Sequence, residues 1–122
     1  MKNVVKIFIM FGLCLSLSVV GVMAASTYDV SCTSTTHTYN GVSHYFVVNG
    51  EVKTVGNNRV VQNITTQWKS NGSGTYTVTG STISNYENGN YVKKYSGTST
   101  IKYGSSATAT SNTKKLNANL YY

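Results

Sequence analysis

Residues 59–78 read RVVQNITTQWKSNGSGTYTV, and their pattern points to the fold class. Val60, Ile64 and Trp68 fall on one parity, diluted by Gln62 and Thr66. Arg59, Asn63, Thr65, Gln67 and Lys69 fall on the other, with Val61 the one apolar exception. Alternation with period two puts one face of an extended segment on a core and the other in water. Asn71-Gly72-Ser73-Gly74 reads as a turn, after which Tyr76 and Val78 return in phase. The stretch is therefore predicted to be one β-hairpin, with Trp68, the single tryptophan, as core anchor.

Working outward, Asn-Gly occurs at 40–41, 49–50, 71–72 and 88–89. Both residues tolerate the positive φ that tight hairpin turns require, so these pairs are expected to punctuate a meander. Tyr28, Val30 and Cys32 alternate as a first strand. Asn49-Gly50 is expected to close a hairpin pairing Val47 with Val52, and 56–58 to lead into the central hairpin. Tyr76 and Val78 are even whereas Ile83 is odd, a change of phase that a bulge at Gly80 would correct. Further on, Tyr91, Tyr95, Ile101 and Tyr103 share a parity, with Lys94 and Lys102 opposite and Lys93 intruding among the aromatics. Ala107 to Thr110 reads as a thin strand. Lys115 to Tyr122 alternates cleanly, with Leu116, Ala118, Leu120 and Tyr122 on one face. The expectation is an all-β fold, an antiparallel β-sandwich or flattened barrel of seven or eight strands.

The N-terminal segment reads differently. Lys2 and Lys6 precede an apolar run from Ile7 to Met23, and Val22-Met23-Ala24 offers small residues for cleavage. That is the pattern of a secretory signal-peptide helix over 1–24, cut near Ala24, with an uncleaved anchor as the alternative. Residues 25–122 then form a single secreted all-β domain. The chain carries +7; without the two leader lysines it carries +5. A basic exported protein is drawn to anionic wall polymers, lipids or acidic glycans. Export disfavours nucleic acid as a partner, while peripheral membrane contact stays open. Cys32 is the one cysteine beyond the leader, so no intrachain disulfide staples the domain.

Catalytic chemistry has little to work with. Asp29, Glu51 and Glu87 lie in separate segments, against the paired carboxylates that hydrolysis needs. Cys32, His37 and His44 could hold zinc only if a loop converged them, and strand alternation sets Cys32 and His37 on opposite faces. The histidines are read as surface residues. No catalytic residue, metal ligand or cofactor is assigned. Asn63-Ile64-Thr65 and Asn71-Gly72-Ser73 match the glycosylation acceptor pattern. The Ser/Thr-rich run 96–110 is somewhat like an inserting hairpin of β-pore formers. A spanning barrel is disfavoured by the chain's length and polarity. The candidate binding strip is Tyr91, Lys93, Lys94, Tyr95, Lys102 and Tyr103. Its tyrosines can stack on sugars and its lysines attract phosphate or carboxylate. The alternative is core tyrosines with lysines guarding a strand edge.

Ser84-Asn85-Tyr86, the following glycine and lysines, Tyr95-Ser96, Gly104, Ala107, Ala109, Asn117-Ala118 and Tyr121-Tyr122 together resemble the lactococcin 972-type bacteriocins. The chain departs from that pattern in lacking a glycine- and tryptophan-rich opening and in having Tyr95 where a histidine is usual. The resemblance implies a small exported β-protein that interferes at the wall-synthesis surface without catalysis. The functional expectation is a secreted, basic, non-enzymatic protein that binds an anionic or glycan component of a cell envelope, as a bacteriocin-like antibacterial effector. The alternatives are a non-toxic carbohydrate-binding or adhesion module and a β-pore former.

Overall fold

The structure is a computed structural model that describes residues 25–105 and 108–122. The expected signal peptide, its helix and its cleavage point near Ala24 lie outside those residues, as does Ala107 of the thin strand. The described chain is all-β, with eight strands in two antiparallel sheets. They are β1 (Ser26–Thr33), β2 (His37–Tyr39), β3 (Val42–Val55), β4 (Asn58–Asn71), β5 (Tyr76–Gly80), β6 (Ser84–Gly89), β7 (Val92–Tyr103) and β8 (Thr110–Tyr121). In the first sheet β3 is the common partner of β1, β2 and β4; in the second, β7 is the common partner of β5, β6 and β8.

Two expectations about hairpins are overturned. Residues 59–78 are not one hairpin: β4 pairs with β3 while β5 pairs with β7 in the other sheet. The segment Gly72–Thr75 carries the chain between sheets instead of folding it back. Gly72 lies against Val42, where an added Cβ would come within 2.9 Å of Cγ2, and Gly74 has φ +89. Asn49-Gly50 does not turn either, because it lies inside the unbroken 14-residue β3. Gly50 is buried, with an added Cβ only 3.0 Å from Val61 Cγ1, so its missing side chain admits a neighbour rather than a turn.

The turns that do form obey the positive-φ rule at other places. Asn40 (φ 50) and Gly41 (φ 79) make a two-residue loop closed by the Tyr39–Val42 pair, as the sequence indicates. Gly56 (φ 64) opens the β3–β4 connection. Asn88-Gly89 belongs to β6, and the turn falls two residues later at Asn90-Tyr91, with Tyr91 at φ 56.

Phase changes also follow backbone geometry. Val61 is buried and Val60 is 58% exposed, the reverse of the simple alternation. Asn63 has φ 53 in mid-strand, and beyond it Ile64 and Trp68 take the inward positions. One left-handed residue shifts which parity faces in. The bulge expected at Gly80 is present in effect just after it. Gly80 pairs with Ser99 and Ser84 with Ser96, four steps against three, so one extra residue is accommodated at 81–83. A second irregularity lies between Asn85 and Glu87.

The described residues form two compact units. Unit 1 takes β1 up to Ser31, Asn49–Thr65 and Tyr122; Val52 and Val61 are its buried apolar side chains. Unit 2 takes Cys32–Val48 and Thr66–Tyr121. Its buried residues are Val42, Phe46 and Val48 from the first sheet and Tyr95, Ile101, Leu116, Ala118 and Leu120 from the second. Burial of this apolar set is the main driving force for the unit, at roughly 1.5–3 kcal/mol for each large side chain.

Candidate functional site

The inner side of unit 2 is built around polar groups that the sequence reading left on the surface. His37 and His44 are 2% and 1% exposed, so the surface assignment is overturned. Both are register partners across the Asn40-Gly41 turn, which sets them on the same face. Each presents Nδ1 to Ser99 Oγ on β7, at 2.7 and 2.6 Å. His37 Nε2 meets Asn112 Oδ1 on β8 at 2.8 Å. With neutral imidazoles the directions are fixed: His37 Nε2–H donates to Asn112, Ser99 Oγ–H donates to His37 Nδ1, and His44 Nδ1–H donates to Ser99. Burial, and then the charge His37 would carry, hold His44 below the ordinary imidazole value. Ser99, His37 and Asn112 have the spacing of a nucleophile, base and orienter. Ser99 has no exposed surface, and its hydroxyl is engaged by both imidazoles. The group ties the two sheets together.

Trp68 completes this centre. Its ring stacks on His44 at 4.5 Å between centroids and meets Phe46 edge-on at 5.3 Å. Its Nε1–H donates to Ser81 O at 2.9 Å. Gly80 and Gly97 lie flat against the indole, and a Cβ on Gly97 would sit 2.9 Å from Cζ2. The sequence-predicted anchor is thus only half-buried, yet it bridges to the opposite sheet.

The six residues of the predicted binding strip do not share one surface. Tyr95 is buried at 4% exposure and belongs to the core; Tyr103 is half-buried beside Gly74. Tyr91 sits exposed in the β6–β7 turn. Lys93 donates to Asn88 Oδ1 at 3.0 Å. Lys94 pairs with Glu87 at 3.2 Å, and that hydrogen bond and charge raise its pKa. Lys102 is exposed. Lys94 and Lys102 do share the outer face of the second sheet, because they alternate with buried Tyr95, Ser99 and Ile101 along β7.

That outer face was not singled out from the sequence. On β7 it presents Lys94, Ser96, Thr98, Thr100 and Lys102; their partners on β8 are Asn119, Asn117, Lys115, Thr113 and Ser111. Thr77 and Thr79 of β5 extend the rows. Thr79, Thr100 and Thr113 form one rung, with Thr100 and Thr113 hydroxyls 3.0 Å apart. The signal was available: the even residues of 94–102 and odd residues of 111–119 are all Ser, Thr, Asn or Lys.

Charge is unevenly placed. Unit 2 contains six lysines (69, 93, 94, 102, 114 and 115) and one carboxylate side chain, Glu87, for a balance of +5. In unit 1, the described Lys53 and Arg59 balance Asp29 and Glu51. Unit 1 instead carries an open depression of about 430 Å³ lined by Asp29, Val30, Ser31, Asn49, Gly50, Glu51 and Asn63. Glu51 Oε1 there accepts from Gln62 Nε2 at 2.9 Å and Asn63 Nδ2 at 3.0 Å. Among the described residues no group of three or more His, Cys, Asp or Glu side chains is placed to hold a metal ion. Cys32 is a free, half-buried thiol whose pKa burial raises, partly offset by a hydrogen bond to the Val48 backbone.

No family model, curated protein or solved structure matches this chain.

Proposed function

We propose that the protein is a secreted β-sandwich that binds an anionic component of a cell envelope without catalysis, acting as a bacteriocin-like effector. The observation that carries this reading is the placement of charge. All of the net positive charge of the described chain lies in unit 2, and its second sheet offers ammonium, hydroxyl and amide groups on a solvent face. Long-range attraction by such a field concentrates a basic protein at polyanionic surfaces. The leader read in residues 1–24 supplies the route out of the cell. The resemblance of the C-terminal third to lactococcin 972-type bacteriocins supports an antibacterial outcome.

Co-sedimentation with isolated Gram-positive walls tests the binding. The protein pellets with intact walls and stays in solution with walls chemically stripped of their anionic polymers. Equal pelleting with both would reject the reading. Growth arrest of sensitive cells by the purified protein separates the effector from a second reading, a non-toxic carbohydrate-adhesion module. The unit 1 depression favours that second reading, since carboxylate, amide and hydroxyl groups are suited to sugar hydroxyls. Dye release from liposomes would point to a pore former instead.

A further inference from the structure

We infer that the outer face of the second sheet is a binding site for a linear, acyclic polyol-phosphate polymer, which lies along β7. The inference rests on the envelope-binding reading above and names its ligand and surface. Three lysines define the track. Lys94 and Lys102 stand eight residues apart on β7, and Lys115 faces Thr98, midway between them. At about 3.4 Å per residue the charges recur roughly every 14 Å, with Lys115 displaced sideways by about one strand spacing of 4.8 Å. Glu87, the unit's one carboxylate side chain, pairs with Lys94 at one end of the track. Lys102 and Lys115 therefore have no carboxylate side chain of their own unit left to pair with.

The groups between the lysines specify the rest of the ligand. Ser96, Thr98 and Thr100 on β7 lie beside Asn117 and Thr113 on β8. These hydroxyls and amides both donate and accept, as a chain of free alcohols requires. No aromatic ring stands among the partners of Ser96 to Lys102 on this face; two exposed tyrosines, Tyr86 and Tyr121, lie near Lys94 at the far end. The stretch from Ser96 to Lys102 thus offers no platform for sugar or base stacking, which single-stranded nucleic acid and most glycan sites use. Lysine suits phosphate as a point charge that needs no planar bidentate fit. Sparse phosphates joined by hydroxylated, ring-free spacers match both features.

The test measures binding of the purified protein to poly(glycerol phosphate), to heparin, to duplex DNA and to uncharged dextran at about 0.15 M salt, where only close charges escape screening. Poly(glycerol phosphate) binds at least tenfold more tightly than the other three. K102E/K115E lowers that affinity tenfold or more, and the control K53E/R59E in unit 1 changes it less than twofold. Far-UV circular dichroism confirms that both variants keep their strands; if K102E/K115E loses them, Lys102→Gln and Lys115→Gln singly each lower affinity at least threefold. Comparable binding to heparin or DNA overturns the inference, as does equal loss in both double variants. If intact walls retain the protein while poly(glycerol phosphate) does not, this ligand falls and envelope binding stands. If neither retains it, both fall.

Discussion

At the scale of single residues, Ser99 is the centre of the molecule's polar chemistry. One hydroxyl satisfies two imidazole nitrogens, and all three groups are buried. A buried donor or acceptor left without a partner costs about 1–3 kcal/mol. Ser99→Ala orphans both Nδ1 atoms and lowers the unfolding free energy by about 2–4 kcal/mol, as measured by urea denaturation. His44 adds a pH dependence whose sign is fixed by its lowered pKa. The unfolded chain takes up a proton at about 6.5, before the folded chain does, so acid favours unfolding. Stability is full above about pH 6.5 and declines as pH falls below it towards the folded value. His44→Gln flattens the profile in that window; an unchanged slope would show that His44 does not carry it. Both histidines were within reach of the sequence, since they stand symmetrically about Asn40-Gly41 and a two-residue turn makes 37 and 44 partners. Reading them as isolated polar residues hid the pairing.

At the scale of elements, Trp68 and the two glycines beneath it set how the sheets meet within unit 2. Gly80→Ala drives a methyl into the indole and destabilises by about 1–3 kcal/mol, with a shift in tryptophan fluorescence. Asn63→Val puts a β-branched residue at φ 53 and removes the bond to Glu51. It costs about 2 kcal/mol or more by thermal or urea unfolding, whereas Asn63→Gly costs less because glycine adopts that φ freely. These sites explain what the sequence disclosed and what it hid. Strands were legible where alternation is unbroken, as in Leu116, Ala118 and Leu120. The phase change between Val78 and Ile83 was legible too, because Tyr76 and Val78 fix one parity and Ile83 the other. Sheet membership was not: the segment 72–75 reads the same whether it reverses the chain or passes it across. The Asn-Gly pairs misled because glycine also serves close approach, as Gly50 does against Val61. Val60 was misplaced because a left-handed Asn63 leaves no mark in a hydrophobicity pattern.

At the scale of the whole chain, the two compact units differ in charge. Unit 2 carries the excess lysines and a polar sheet face; the described part of unit 1 is balanced and carries the carboxylate-lined depression. The binding strip read from the sequence joined Lys94 and Lys102, which share the outer face of β7, to Tyr95, which is buried in the core. Period two was applied to the aromatic parity of β7, and the polar parity that forms the outer face went unread. We propose that charge in unit 2 holds the protein on an anionic envelope. The most direct test is the dissociation constant for isolated Gram-positive walls between about 0.05 and 0.5 M sodium chloride, over which screening shortens from roughly 14 to 4 Å. Binding weakens at least tenfold across that range. An affinity independent of salt would contradict it.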